Sequence, residues 1–230
     1  MDYFIYIQLN AKTFQHFQQI RQQLNQYDAQ PLAKPLGRIL TDIACEVIEQ
    51  VFGTITEQNF KGVGETEQTI TQIKDYLRHY MPWSIALLSN QRLVPMVNYL
   101  YDQIVQQSSQ QVFLTYPIDY QLARQALHSV RQLDLANIAS IQICFDIFID
   151  IIDQGVNCLI YQPKALLKFN FIVDKTLNGV IKLSTQLAYK RIEKIASQLS
   201  LDTAQDYFHY FITFLKMISK DQPLQYHGIA

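Results

Sequence analysis

Residues 138–152 read IASIQICFDIFIDII, and the choice of fold class turns on them. Ile141, Ile143, Phe145, Ile147, Phe148, Ile149, Ile151 and Ile152 leave only a narrow polar strip. At ~100° per residue, Asp146, Asp150 and Asp153 fall within an arc of about 60°, so three carboxylates share one edge of an otherwise apolar helix. Three acids at regular depth are costly in lipid, which places the segment inside the protein or at a subunit interface and not in a membrane.

Working outward, Asp119 caps a helical pattern that runs through this segment to about residue 153, and Gly155 ends or bends it. Residues 82–104 carry Ile85, Leu88, Leu93, Val97, Leu100 and Ile104 at helical spacing, with Pro82 in the first turn and a kink or break expected near 90–95 because of Pro95. Residues 108–117 read as a connection. Upstream lie helices at 65–81 and 36–55, separated by a loop at 59–64, and an amphipathic helix after Asn10 that buries Phe14, Phe17, Ile20, Leu24 and Tyr27. Pro31 and Pro35 break that first helix. Tyr3 to Leu9 form a short aromatic and β-branched run, a strand or an extended segment. Downstream, a helix from Pro163 or Lys164 reaches about Leu199, with Asn178-Gly179 as a candidate interruption. Asp202 and Gln205 resemble a capping box that opens a last helix through Ile218, followed by a loose tail after Pro223. The expectation is an all-α multi-helix bundle of about seven helices with at most one short N-terminal strand, a single domain over 1–230.

Composition narrows the function classes. Apolar residues make up 49% of the 230 and charged residues 17%, with a formal net charge of -1. That balance lacks the basic footprint of phosphate neutralisation, so nucleic acid is not an expected partner. Cys45, Cys144 and Cys158 are an odd set without C-x-x-C spacing, and the N-terminal apolar run meets Gln8 and Asn10 too early for a signal peptide. Both features suit a reducing, cytoplasmic setting without a transmembrane segment. A glutamine-rich, weakly charged surface favours a protein partner or a homo-oligomer.

Four sets of residues are candidates for chemistry. Asp42, Glu46 and Glu49 repeat the acidic spacing of Asp146, Asp150 and Asp153; two such rows facing one cavity would bind Mg²⁺ and, through it, a diphosphate. Asp42 to Glu46 and Asp146 to Asp150 are superficially similar to the paired D-x-x-x-D motifs of squalene and phytoene synthases. Glu46 to Glu49 and Asp150 to Asp153 bear a looser likeness to the acidic motifs of all-α nucleotide pyrophosphohydrolases. Both analogies cover a few residues and identify no family. The plain alternative is that each row is the solvated stripe of an apolar helix. Lys164, Lys168, Lys175 and Lys182 fall within about 40° on a straight helix, a stripe suited to a phosphate ligand, an anionic membrane surface or a solvated face. Tyr207, Phe208, Tyr210, Phe211 and Phe214 ring the last helix, which suits an apolar ligand, a partner surface or a packed core. Asp75 with His79 and Asp206 with His209 are local pairs; His16, His128 and His227 are scattered, and no multi-ligand histidine motif is present. G-x-S-x-G, P-loop and dinucleotide fingerprints are absent as well. The expectation is therefore a non-catalytic binding or association protein with no cofactor. The alternatives are a helical container for an apolar small molecule or lipid, and a Mg²⁺-dependent enzyme acting on a diphosphate.

Overall fold

The computed structural model describes residues 2–26, 30–57 and 63–218. In chain order these form β1 (Asp2–Leu9), α1 (Ala11–Asn25), α2 (Ala33–Glu57), α3 (Val63–Ala86), α4 (Asn90–Asp102), β2 (Ile104–Gln106), β3 (Val112–Ile118), α5 (Tyr120–Asp134) and α6 (Ser140–Val156). A π-helical segment, Asn157–Tyr161, joins α6 to α7 (Gln162–Leu166); α8 (Phe171–Ala196), α9 (Leu201–Ile212) and β4 (Leu215–Ile218) follow.

The chain is mostly helical, but the all-α expectation needs correcting: the strands form a four-stranded antiparallel sheet in the order β2-β3-β1-β4. Three strands lie where the periodicity suggested none. β2 and β3 make a hairpin across residues 107–111, where Ser108 Oγ accepts from the Gln111 amide at 3.1 Å and pins the turn. β4 falls in the stretch read as the end of the last helix. That helix stops at Ile212, and the chain turns so that Leu215 pairs with Ile5 and Ile218 with Asp2.

Strand alternation decides where the core sits. Tyr3, Ile5, Ile7 and Leu9 pair across from Ile118, Tyr116, Leu114 and Val112, so all eight project from one sheet face, and all are buried. At one end of that face Tyr3, Ile5 and Tyr116 join Phe145, Phe148 and Phe208 from α6 and α9. At the other, Leu9, Val112 and Leu114 join Phe14, Phe17, Leu93 and Val97 from α1 and α4.

Most helices begin as their sequences suggest. Asn10 accepts from the Lys12 amide at 2.9 Å, and Asp119 from Gln121 and Leu122; the last helix instead starts ahead of the expected Asp202–Gln205 capping box, with Ser200 accepting from Thr203 and Asp202 inside the first turn. The long helices break elsewhere. The 119–153 pattern is cut at 135–139, where Ala136 takes φ 61°, and the 163–199 pattern at 167–170, where Lys168 takes φ 48°. α8 continues through Asn178 and Gly179, α3 continues through Pro82, and the break expected near 90–95 falls at 87–89. Of the loop expected at 59–64, residues 59–62 lie outside the described residues, as do Tyr27, His227 and the tail after Pro223; Val63 and Gly64 already belong to α3.

Candidate functional site

The two acidic rows go to different neighbours. Glu46 on α2 accepts from the Asn10 amide at 2.9 Å and from Thr13 Oγ1 at 2.5 Å, which fixes it to the start of α1, where a carboxylate suits the helix dipole. Glu49 pairs with Lys74 on α3. Asp42 lines an open groove between α1 and α2. On α6, Asp146 accepts from Gln142 at 2.8 Å, Asp150 is exposed, and Asp153 takes the hydroxyl of Tyr189 on α8. Burial, and then the Asp153 carboxylate, hold that hydroxyl protonated well above its usual range. Among the described residues, no three His, Cys, Asp or Glu side chains come together in a way that would hold a metal ion.

The C-terminal rings lie in the core. Tyr207, Phe208, Phe211 and Phe214 are buried, and Tyr210 is half-buried with its hydroxyl donating to Gln50 O at 3.1 Å. Phe148 meets the Phe211 ring edge-on at 4.5 Å and Tyr207 at 5.7 Å. The void beside Phe148, Phe208 and Phe211 is about 10 Å³, too small for an apolar ligand. The groove bearing Asp42 is larger, about 540 Å³, but Gln19, Gln22, Gln23 and Gln26 make its wall largely amide, with His16 and Arg38 beside them.

The four lysines do not share one helix face, because the chain turns at 167–170. Lys164 is on α7 and pairs with Asp174; Lys168 sits in the turn; Lys175 and Lys182 stay on one exposed stripe of α8. None of the ion pairs among the described residues uses Lys168, Lys175 or Lys182.

That turn belongs to an end of the molecule that exposes several large apolar side chains. Arg92 at the start of α4 donates to both Leu167 O and Lys168 O at 2.5 Å, and Asn90 bridges to residues 30 and 32 just before α2. α2 crosses α3 closely there: a Cβ on Gly37 would fall 2.7 Å from Pro82 Cα. Leu36, Ile85, Leu88 and Leu167 are buried together beneath. Above them, Phe171 is 78% exposed, Ile172 75%, Leu87 53% and Trp83 42%. On the α8 wheel, Phe171 lies about 140° from the stripe formed by Val173 and Leu177, so burying that stripe leaves the ring outside. Asn170 caps α8 by accepting from the Val173 amide at 3.0 Å, which holds Phe171 and Ile172 in the first turn.

The same end is basic. Residues 81–95 and 159–183 carry five cations, Arg92, Lys164, Lys168, Lys175 and Lys182, against one carboxylate, Asp174, in a chain whose net charge is -1; Arg38 on α2 lies instead in the α1–α2 groove with Asp42. A second exposed apolar group, Leu135, Ile138 and Ile143, lies at the α5–α6 connection, beside Asp134 and its partner His209.

Sequence reading overlooked two polar clusters. At the π-helical segment, Tyr99 Oη donates to Cys158 O at 2.8 Å and contacts Gln162 Oε1 at 2.5 Å. It serves a carbonyl at the place where the regular helical ladder changes. Arg191, buried on α8, donates to Thr66 Oγ1 at 2.8 Å and to Glu65 at 2.6 Å, and Lys194 reaches Glu65 at 2.5 Å. Lys194 first, then Arg191, hold the Glu65 carboxyl below its ordinary value. No local sequence signal pairs residues more than 120 positions apart. The three cysteines are free, and burial pushes the Cys144 thiol up to about 12, so it behaves as a packing residue.

Comparison with protein-family models, with curated proteins and with solved structures finds no match to this chain.

Proposed function

We propose that this chain is a non-catalytic binding protein that acts through its surface, by self-association or by holding a partner, and not through an enclosed site. The observation that carries this reading is the exposure of Trp83, Leu87, Phe171 and Ile172 beside a buried cluster of Leu36, Ile85, Leu88 and Leu167. Folded proteins rarely leave such side chains grouped in water unless something covers them. The dispersal of the acidic rows onto Thr13, Lys74 and Tyr189 supports binding over the Mg²⁺-dependent alternative. The ring-filled core likewise supports it over the container.

Light scattering at graded protein concentrations, beside calorimetric titration with Mg²⁺ and pyrophosphate, tests the reading. Self-association, or a chain indifferent to both ligands, supports it. Saturable Mg²⁺-dependent pyrophosphate binding that is lost in both Glu46→Gln and Asp150→Asn overturns it in favour of a diphosphate enzyme.

A further inference from the structure

The apolar and basic end just described suggests what covers it. α3 and α8 run antiparallel: Arg191 on α8 meets Thr66 on α3 near one end of the pair. Seventeen residues along α3 from Thr66 stands Trp83, and nineteen back along α8 from Arg191 stands Ile172. At ~1.5 Å per residue, each lies roughly 25–30 Å from that anchor. Trp83 and Leu87 therefore share the far end of the pair with Phe171 and Ile172, and the Arg92 bonds to Leu167 and Lys168 tie the start of α4 to the same place. Two cations stand beside the α8 tip: Lys168 adjoins Phe171 in the chain, and Lys175 follows it by one turn of α8. Asp174, next to Lys175 in the chain, is taken by Lys164.

We propose that this end docks on an anionic lipid bilayer, with Phe171, Ile172, Trp83 and Leu87 entering the interface and Lys168 and Lys175 meeting the headgroup phosphates. The proposal rests on reading the chain as a surface-binding protein, and it names the partner. Charge decides among the occupants. A two-fold contact between copies through this end would bring the Lys168 and Lys175 of each copy together, a like-charge arrangement that opposes association. An anionic surface pairs with both. Shape agrees, since Phe171 and Ile172 stand out at the start of a helix, and a fluid interface admits projecting apolar side chains without a preformed pocket. No helix among the described residues is long and apolar enough to cross a membrane.

Trp83 is the only tryptophan in the chain, and its emission reports directly on the proposed contact. With phosphatidylserine–phosphatidylcholine vesicles the emission shifts to the blue and the protein co-sediments; with phosphatidylcholine alone neither happens, and added salt releases the protein. Lys168→Glu and Lys175→Glu each weaken binding about fivefold or more. Phe171→Ser with Ile172→Ser weakens it at least about tenfold. Leu135→Ser, at the separate apolar group, leaves it unchanged. Circular dichroism of each variant establishes that the fold is intact.

The proposal is overturned if anionic vesicles neither shift Trp83 nor sediment the protein, or if the Phe171/Ile172 variant binds as wild type does. It is also overturned if poly-glutamate moves the emission while vesicles do not, which assigns the end to an acidic protein. A dimer that dissociates on Phe171→Ser and Ile172→Ser overturns it in favour of a second copy. Failure with vesicles leaves the pyrophosphate titration untouched, so the two readings fail separately.

Discussion

Gly155→Ala should destabilise this protein, although the same exchange in an open helix stabilises. Gly155 lies near the end of α6, and a Cβ there would stand 2.8 Å from Tyr116 Cζ and 3.0 Å from Tyr116 Oη. Carbon atoms rest at about 3.5–4.0 Å, so roughly 1 Å must open. Tyr116 has no room to retreat: it is buried on the sheet face among Ile5, Ile118 and Ile151, and its hydroxyl reaches Ile151 O at 3.4 Å. Replacing Gly by Ala in a helix interior gains about 1 kcal/mol, whereas overpacking a rigid core costs about 1–3 kcal/mol. With backbone and ring both held, the cost falls in the upper part of that range, about 2–3 kcal/mol, and a net loss of about 1–2 kcal/mol is expected. Gly179 in α8 is the internal control: a Cβ there meets nothing within 4 Å, so Gly179→Ala should gain about 0.5–1 kcal/mol. Urea denaturation followed by far-ultraviolet circular dichroism measures both, with equal slopes confirming that the midpoint shift reflects stability. If Gly155→Ala proves as stable as wild type, the packing of α6 on β3 described above is wrong.

Other perturbations have equally definite signs. Tyr207→Phe removes the bond from a buried hydroxyl to Val51 O at 3.1 Å and should cost about 1 kcal/mol by the same denaturation assay. Phe148→Ala empties the centre of the ring cluster at α6 and α9, for a loss of about 3–5 kcal/mol and a lower urea midpoint. Because Glu65 ionises below its ordinary value of 4.5 when folded, its carboxylate adds stability in full above that value and loses it as pH falls through the folded one. The melting-temperature gap between wild type and Glu65→Gln should therefore be present at neutral pH and close in acid. A gap that persists at the lowest pH would detach Glu65 from Arg191 and Lys194.

Helix content was legible because apolar side chains at three- and four-residue steps are a local pattern. α1 appears with Phe14, Phe17, Ile20 and Leu24 inward, and α6 with Phe145 and Phe148 inward and Asp146 and Asp150 outward. The chain breaks were less legible. Ala136 and Lys168 adopt left-handed backbone without a glycine to announce it, so two patterns that read as continuous helices each became two elements. The exposed end was partly legible: Phe171 sits opposite Val173 and Leu177 on a wheel drawn for α8, yet the wheel does not reveal that Trp83 and Leu87 come to the same place. The lysine stripe was misread for the same reason, since it assumed a straight path through residues 167–170.

Sequence alone determined what neighbouring residues decide between themselves: the amphipathic stripes, the caps at Asn10 and Asp119, and a charge balance without a basic excess. Tertiary structure decided what depends on distant partners. Leu215–Ile218 is compatible with a helix and becomes a strand because β1, more than 200 positions earlier, offers an unpaired edge. The acidic rows are equivalent as patterns and unlike in place, because α2 meets α1 and α3 where α6 meets α5 and α8. Backbone hydrogen bonds between strands and the burial of one helix against another are set by three-dimensional proximity, and a one-dimensional period carries no record of it.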